Sequence, residues 1–84
     1  MEKSLSSYKT GDKLKIYKIN LDKGLKKFYN EQGLLENSQI EIIIKNKQGI
    51  IIKTCDNYMA LSMFSANNIY CEKITKEKER ILNE

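Results

Sequence analysis

The side chains that most often do chemistry are scarce in this sequence. There is no histidine, so the commonest general base and transition-metal ligand is missing. The two cysteines, Cys55 and Cys71, are too few and too far apart for a zinc or redox motif. Each lies in an apolar or strand-like context, where free cysteine behaves as a small hydrophobe, and a cytosolic chain keeps both reduced. Met59 and Met63 stand four apart, a spacing that invites a soft metal, but Met59 reads better as a filler of core gaps. The four glycines, Gly11, Gly24, Gly33 and Gly49, are isolated, so no phosphate-cradling loop exists. Carboxylates are scattered, the nearest cluster being Glu77 and Glu79 with Glu84. No set of nucleophile, base and oxyanion donors can be assembled. The expectation is a protein that is not an enzyme, with no cofactor and no metal-ligating set, whose work is binding.

Size and charge narrow the kind of binding. At 84 residues the chain is one domain, and a chain so short buries only about 60% of the surface it exposes unfolded. Hydrophobic residues make up 40% and charged ones 31%, a globular balance. No apolar run approaches the roughly 18–20 residues that span a bilayer, and the first residues, MEKSLSSYKTGDK, lack the apolar region of a secretory signal. A cytoplasmic protein without direct membrane insertion is expected. Fifteen basic residues against eleven acidic ones give a net charge of +4. The lysines are spread from Lys3 to Lys78 and Arg80 is the single arginine. A nucleic-acid binder concentrates its charge in a stripe, often with arginine and interleaved aromatics. The excess therefore reads as solvated surface, and no nucleic-acid partner is expected.

Hydrophobic periodicity supplies the elements. Leu5 and Tyr8 are spaced to fold back on the core, and Thr10-Gly11-Asp12 is a turn signal. Lys13–Ile19 alternates as a strand with Leu14 and Ile16 inward. Asn20 is a turn residue or a helix N-cap. Leu21, Leu25, Phe28 and Gln32 then recur on one helical face, with Lys23, Lys26, Lys27 and Asn30 opposite and Tyr29 at the border. Gly24 weakens the early turns and offers a later start to the helix. Gly33 ends it, with Leu34 packing back on Tyr29. Glu36-Asn37 makes a turn in which Asn37 tolerates positive φ. Gln39–Lys45 is a β-branched strand with Ile40, Ile42 and Ile44 on one face. Asn46–Gly49 is a hairpin loop and Ile50–Thr54 the returning strand. Asp56-Asn57 is a tight turn of the positive-φ kind, Tyr58–Ser62 a fourth strand, Ser65–Asn68 a helical or 3-10 turn and Ile69–Glu72 a closing strand.

Five short strands with tight turns and one inserted amphipathic helix predict a mostly β, α+β fold, a small closed barrel. Residues 1–74 form the domain, and 75–84 a charged C-terminal tail that is frayed or a short solvated helix.

Several of these residues fall in the order of a known family. Leu5, then Gly11-Asp12-Lys13-Leu14-Lys15-Ile16, match its opening turn and strand. Leu25-Lys26-Lys27-Phe28, Gly33-Leu34 and Ser38-Gln39-Ile40-Glu41-Ile42 match its helix with a basic pair, its helix end and the next strand. Tyr58-Met59-Ala60-Leu61 with Ala66 and Ile69 match its close. Over roughly residues 5–72 the chain resembles FeoA, the small ferrous iron transport protein A. The resemblance implies an SH3-like barrel with a helical insertion. It also implies a non-enzymatic cytoplasmic accessory of ferrous iron uptake, an adaptor or regulator that binds the FeoB-type membrane transporter with its GTP-binding domain. The chain departs from the family pattern at Glu36-Asn37, where Pro-Gly is usual, at Asn57, where Gly is common, and at Ser62, where arginine is common. Its Asn46–Gly49 hairpin is also short.

The surface expected to bind the partner is the basic face Lys23, Lys26 and Lys27 with Tyr29, Leu34 and Leu35. Two alternatives stand beside it: a small basic nucleic-acid-binding barrel, and a divergent FeoA-like module with another partner. A regulatory domain like the C-terminal one of iron-dependent repressors would need a helix-turn-helix in the same chain, which the sequence does not offer.

Overall fold

The computed structural model describes residues 3–55 and 57–74. Strand β1 (Lys3–Ser4) leads into a 3-10 turn at Leu5–Ser7. There follow β2 (Lys13–Ile19), α1 (Lys23–Glu31), β3 (Gln39–Lys45), β4 (Gly49–Lys53), β5 (Tyr58–Ser62), α2 (Met63–Asn67) and β6 (Ile69–Lys73). The six strands make one sheet in the order β1-β6-β2-β3-β4-β5, with every neighbouring pair antiparallel. The expected five strands become six because β1 is only two residues long, too short to leave an alternating pattern. The result is the sheet-dominated SH3-like α+β fold expected, with α1 inserted between β2 and β3, but the expected closed barrel is not closed, since β1 and β5 are the two edges of the sheet and do not pair with each other.

Strand β2 is the hinge of this arrangement. Lys13–Lys15 pair with β3, while Leu14–Ile19 pair with β6 across an irregularity between Ile16 and Lys18. The strand thus serves both halves of the sheet and buries Leu14, Ile16 and Ile19. Leu5, Leu34, Ile42, Ile50, Ile52, Ile69 and Cys71 complete the fully buried core. Tyr8 folds over it as expected, its hydroxyl donating to the Cys71 carbonyl at 2.9 Å. Burial pushes the Cys71 thiol up to about 12, so it is inert at neutral pH. Cys55 corrects the expectation of a hydrophobic role, since it is exposed.

Strand β3 departs from strict alternation. Ile42 lies opposite Ile52, but Ile44 lies opposite Ile51, so a β-bulge absorbs Ile43. The extra residue reverses the faces beyond it. Ile44, expected on one face with the buried Ile40 and Ile42, is instead 48% exposed. The β3–β4 loop is an Asx turn, in which Asn46 Oδ1 accepts from the N–H groups of Gln48 at 2.9 Å and Gly49 at 3.1 Å. Strand β4 then approaches β5 so closely at its start that a Cβ on Gly49 would run into the Leu61 carbonyl. Thr54 and Asn57 close the β4–β5 turn, Thr54 N–H donating to the Asn57 carbonyl at 2.7 Å. Asp56, half of the turn expected there, lies outside the described residues, as does the expected tail 75–84. The helical turn expected at Ser65–Asn68 is α2, begun two residues earlier by Ser62, whose hydroxyl accepts from Ser65 N–H at 3.1 Å.

The Tyr8 hydroxyl gives the core a polar test. Tyr8→Phe leaves the buried Cys71 carbonyl without that donor and should cost about 1–2 kcal/mol. Tyr17→Phe, at a ring 57% exposed, should change stability by less than about 0.5 kcal/mol. Urea denaturation of the two variants checks the difference.

Candidate functional site

Helix α1 begins later than Asn20 because Asp22 caps it, one carboxylate oxygen accepting from Leu25 N–H at 2.8 Å. It ends as the sequence predicts. Gly33 takes φ +102°, Gly33 N–H donates to the Asn30 carbonyl at 3.1 Å, and Leu34 N–H reaches back to Tyr29 at 3.0 Å. This pair of bonds is the Schellman arrangement, in which a left-handed residue lets the chain satisfy two helix-end carbonyls while reversing direction.

The reversal decides which residues remain on the surface. Tyr29 and Leu34, two of the six residues expected to bind a partner, are 7% and 0% exposed. They are core, not contact surface. The Tyr29 hydroxyl is itself satisfied, 2.8 Å from Ser65 Oγ on α2. The helix and the residue before its cap turn the series Leu21, Leu25 and Tyr29 inward, the first two partly buried against the core and Tyr29 within it, each four residues from the last, which turns Phe28 outward. Phe28, expected on the inner stripe, is 53% exposed, its ring tilted 57° to the Tyr29 ring with centroids 5.6 Å apart. Sequence reasoning placed it inside because Phe28 and Tyr29 are adjacent and only one can face the core. The unbroken four-residue series through Leu21 and Leu25 was the signal favouring Tyr29.

The lysines also separate. Lys26 is tied down, its Nζ 3.2 Å from Glu36 Oε2. Lys23 and Lys27 are exposed with no ion-pair partner among the described residues. Leu35 remains 47% exposed just past the helix end. The structure therefore keeps Lys23, Lys27 and Leu35 on the outer side of α1 and its exit, and adds Phe28 to them. It also reveals an anchor that the sequence did not announce. Glu36 Oε2 accepts from Ile19 N–H at 3.0 Å as well as from Lys26, joining the end of β2 to the middle of α1. Asn37, in the left-handed region at φ 74°, completes the turn by donating its N–H to the Ile16 carbonyl at 2.7 Å.

Elsewhere the surface is chemically quiet. A shallow groove of about 420 Å³ beside Gly33 is lined by Lys13, Gln39, Glu41, Lys53 and Cys55 among others. Its charges alternate in one cross-strand row, Lys13 to Glu41 to Lys53. Among the described residues no three potential metal ligands gather, and no helix is long and apolar enough to cross a membrane.

The Ile19 N–H, and after it Lys26, hold the Glu36 carboxyl below its ordinary value of 4.5. The unfolded chain titrates at the ordinary value, so the anchor contributes fully above 4.5 and is lost as pH falls through the lower, folded value. The group is partly solvated, which keeps the contribution to a fraction of what a buried pair would give. Melting temperature should drop on acidification below pH 4.5, and Glu36→Gln should be less stable at neutral pH yet lose less over that descent. Asp12, held low chiefly by the Lys9 N–H, supplies the acid sensitivity that the variant retains.

The family model for the FeoA domain matches residues 3–73. No curated protein matches the chain. Among solved structures, an iron uptake regulatory protein, FeoA, superposes with a TM-score of 0.80 at 23% identity, covering 88% of this chain and 100% of that one. A FeoA-like protein from Clostridium acetobutylicum superposes at 0.75 with 17% identity, covering 88% of each chain. A manganese-dependent transcriptional repressor superposes at 0.80 with 14% identity, but the match takes in only 42% of the repressor. The two helices described here are separated by three strands, so they do not form a helix-turn-helix. With the family model spanning nearly the whole described fold, the chain belongs to the FeoA domain family and, through it, to ferrous iron transport.

Proposed function

We propose that the protein is a non-enzymatic accessory of ferrous iron uptake that works at the cytoplasmic side by binding a FeoB-type transporter. The observation that carries this reading is the outer side of α1. Phe28 and Leu35 stand roughly half exposed on the same helix and its exit as the exposed Lys23 and Lys27, which have no ion-pair partner among the described residues, and the helix is fixed at both ends by Asp22 and Gly33. Exposed apolar side chains next to exposed cations on a rigid element suit an acidic, partly apolar partner surface. Tyr29 and Leu34 support that face from beneath. The nucleic-acid reading draws no support from a basic stripe. Glu41 interrupts the Lys13–Lys53 row, and Lys26 and Lys73 are paired with Glu36 and Asp12.

The test is binding to the transporter's purified cytoplasmic domain. Phe28→Ala and the double change Lys23→Glu with Lys27→Glu should each weaken binding about tenfold, equivalent to about 1.4 kcal/mol, with circular dichroism unchanged. Lys47→Glu, in the distant β3–β4 loop, should leave binding as it is. Undiminished binding by the α1 variants, or normal iron uptake after deletion of the gene, would refute the proposal.

A further inference from the structure

The two edges of the sheet are unlike. Strand β1 is two residues long and carries Lys3, and both features discourage another strand from adding there. Strand β5 is five residues, Tyr58-Met59-Ala60-Leu61-Ser62, with no charge and no proline, and within the sheet it pairs only with β4.

The direction of its free backbone groups follows from the register. Thr54 N–H donates to the Asn57 carbonyl at the turn, and bonded pairs alternate along an antiparallel ladder. Ile52–Met59 and Ile50–Leu61 are then the bonded pairs, and Lys53–Tyr58, Ile51–Ala60 and Gly49–Ser62 the non-bonded ones. The backbone of Tyr58, Ala60 and Ser62 points away from β4. The Ser62 carbonyl is taken by the first turn of α2, since Ser62 is its N-cap. The remaining outward groups, which include the N–H of Ala60 and Ser62 and the carbonyls of Tyr58 and Ala60, have no hydrogen-bond partner among the described residues.

The side chains of the same strand add a matching shape. Tyr58 stands at one end, 65% exposed. At the other end Ser62 lies opposite Gly49, which has no side chain. There a groove of about 330 Å³ is bounded by Gly49, Ile51, Ala60, Ser62 and the bulge-exposed Ile44. Ala60 is midway between projection and hollow.

We propose that this edge is an interaction surface for a second copy of the chain, added antiparallel to β5 about a two-fold axis at Ala60. Ala60 then faces the partner's Ala60, and Tyr58 faces the partner's Ser62. Four backbone hydrogen bonds form: Ala60 N–H to the partner's Ala60 carbonyl, Ser62 N–H to the partner's Tyr58 carbonyl, and the symmetry mate of each. Each Tyr58 ring comes to lie over the small residues Ser62 and Gly49 of the other copy, in the groove. The arrangement is isologous, so it closes at two copies and does not propagate. A single pair of five-residue strands is a small interface, which makes the dimer weak and concentration-dependent.

Sedimentation equilibrium of the full chain tests this. The average mass should move from monomer towards dimer as the concentration rises into the millimolar range. Ala60→Glu, at an outward position, should keep the circular dichroism of the parent and raise the dissociation constant at least about tenfold, because it sets like charges face to face on the axis. Bonded antiparallel partners have Cα atoms about 5.5 Å apart, within the roughly 4.4–6.8 Å of a disulfide. Mild oxidation of Ala60→Cys in a Cys55→Ser background should therefore link two chains through residue 60, whereas Lys23→Cys in that background should not link. A chain that stays monomeric throughout, a dimer that survives Ala60→Glu, or an Ala60→Cys protein that does not cross-link in preference to Lys23→Cys would overturn the proposal.

Discussion

The reversal at Gly33 is the constraint on which the rest of this molecule depends. An L side chain meets its own backbone at φ +102°, so the position favours glycine strongly. Once the reversal is made, Tyr29 on the last turn and Leu34 just past it are driven together into the core. That placement orients the whole helix. The faces of α1 are decided at its C-terminal end, and its hydrophobic stripe follows. It also delivers the chain to Asn37 and Ser38, which pair with Ile16 and so set the register of β3 against β2.

The polar interactions around this reversal are few, and each spans separate elements. Tyr29 reaches α2 through Ser65. Glu36 reaches β2 and α1 at once. Lys45, at the far end of β3, donates to the Ser6 and Tyr8 carbonyls at 2.6 and 2.8 Å, fastening the 3-10 turn and the residue after it to β3. A small domain with a modest core gains disproportionately from such ties, because each one restrains a connection that buries little apolar surface of its own.

Most of the architecture was legible in the sequence because it rests on period and on special residues. The alternation of Lys13–Ile19, the glycine at 33, the asparagine at 37 and the run Tyr58–Ser62 appear in the structure where they were expected. The misreadings have definite causes. Ile44 was assigned to the face of Ile40 and Ile42 by extending a period that the bulge at Ile43 interrupts, and nothing in the run Ile42-Ile43-Ile44 marks where a bulge falls. Phe28 and Tyr29 compete for one position, and their composition alone does not decide between them. Two of the six residues expected at the contact surface are buried instead. Tyr29 and Leu34 are apolar residues near a helix end, and their burial follows from tertiary packing, with the Tyr29 hydroxyl partnered by Ser65 far along the chain. The role of Glu36 was invisible for a related reason, because its two donors are separated from it by ten and seventeen residues.

The order of strands has a consequence for how the protein is made. Strand β6, the last among the described residues, does not lie at an edge. It occupies an interior slot between β1 and β2, joining residues as distant as Lys3 and Cys71. Strands β2 to β5 are successive neighbours and can assemble as they leave the ribosome, but β2 keeps one side unpaired until Ile69–Lys73 follow. Synthesis at roughly 5–20 residues per second leaves Leu14, Ile16 and Ile19 waiting for seconds before their cover arrives. The nascent chain thus passes through an interval with half a core and an open seam, which ends when Ile69–Lys73 enter the slot between β1 and β2.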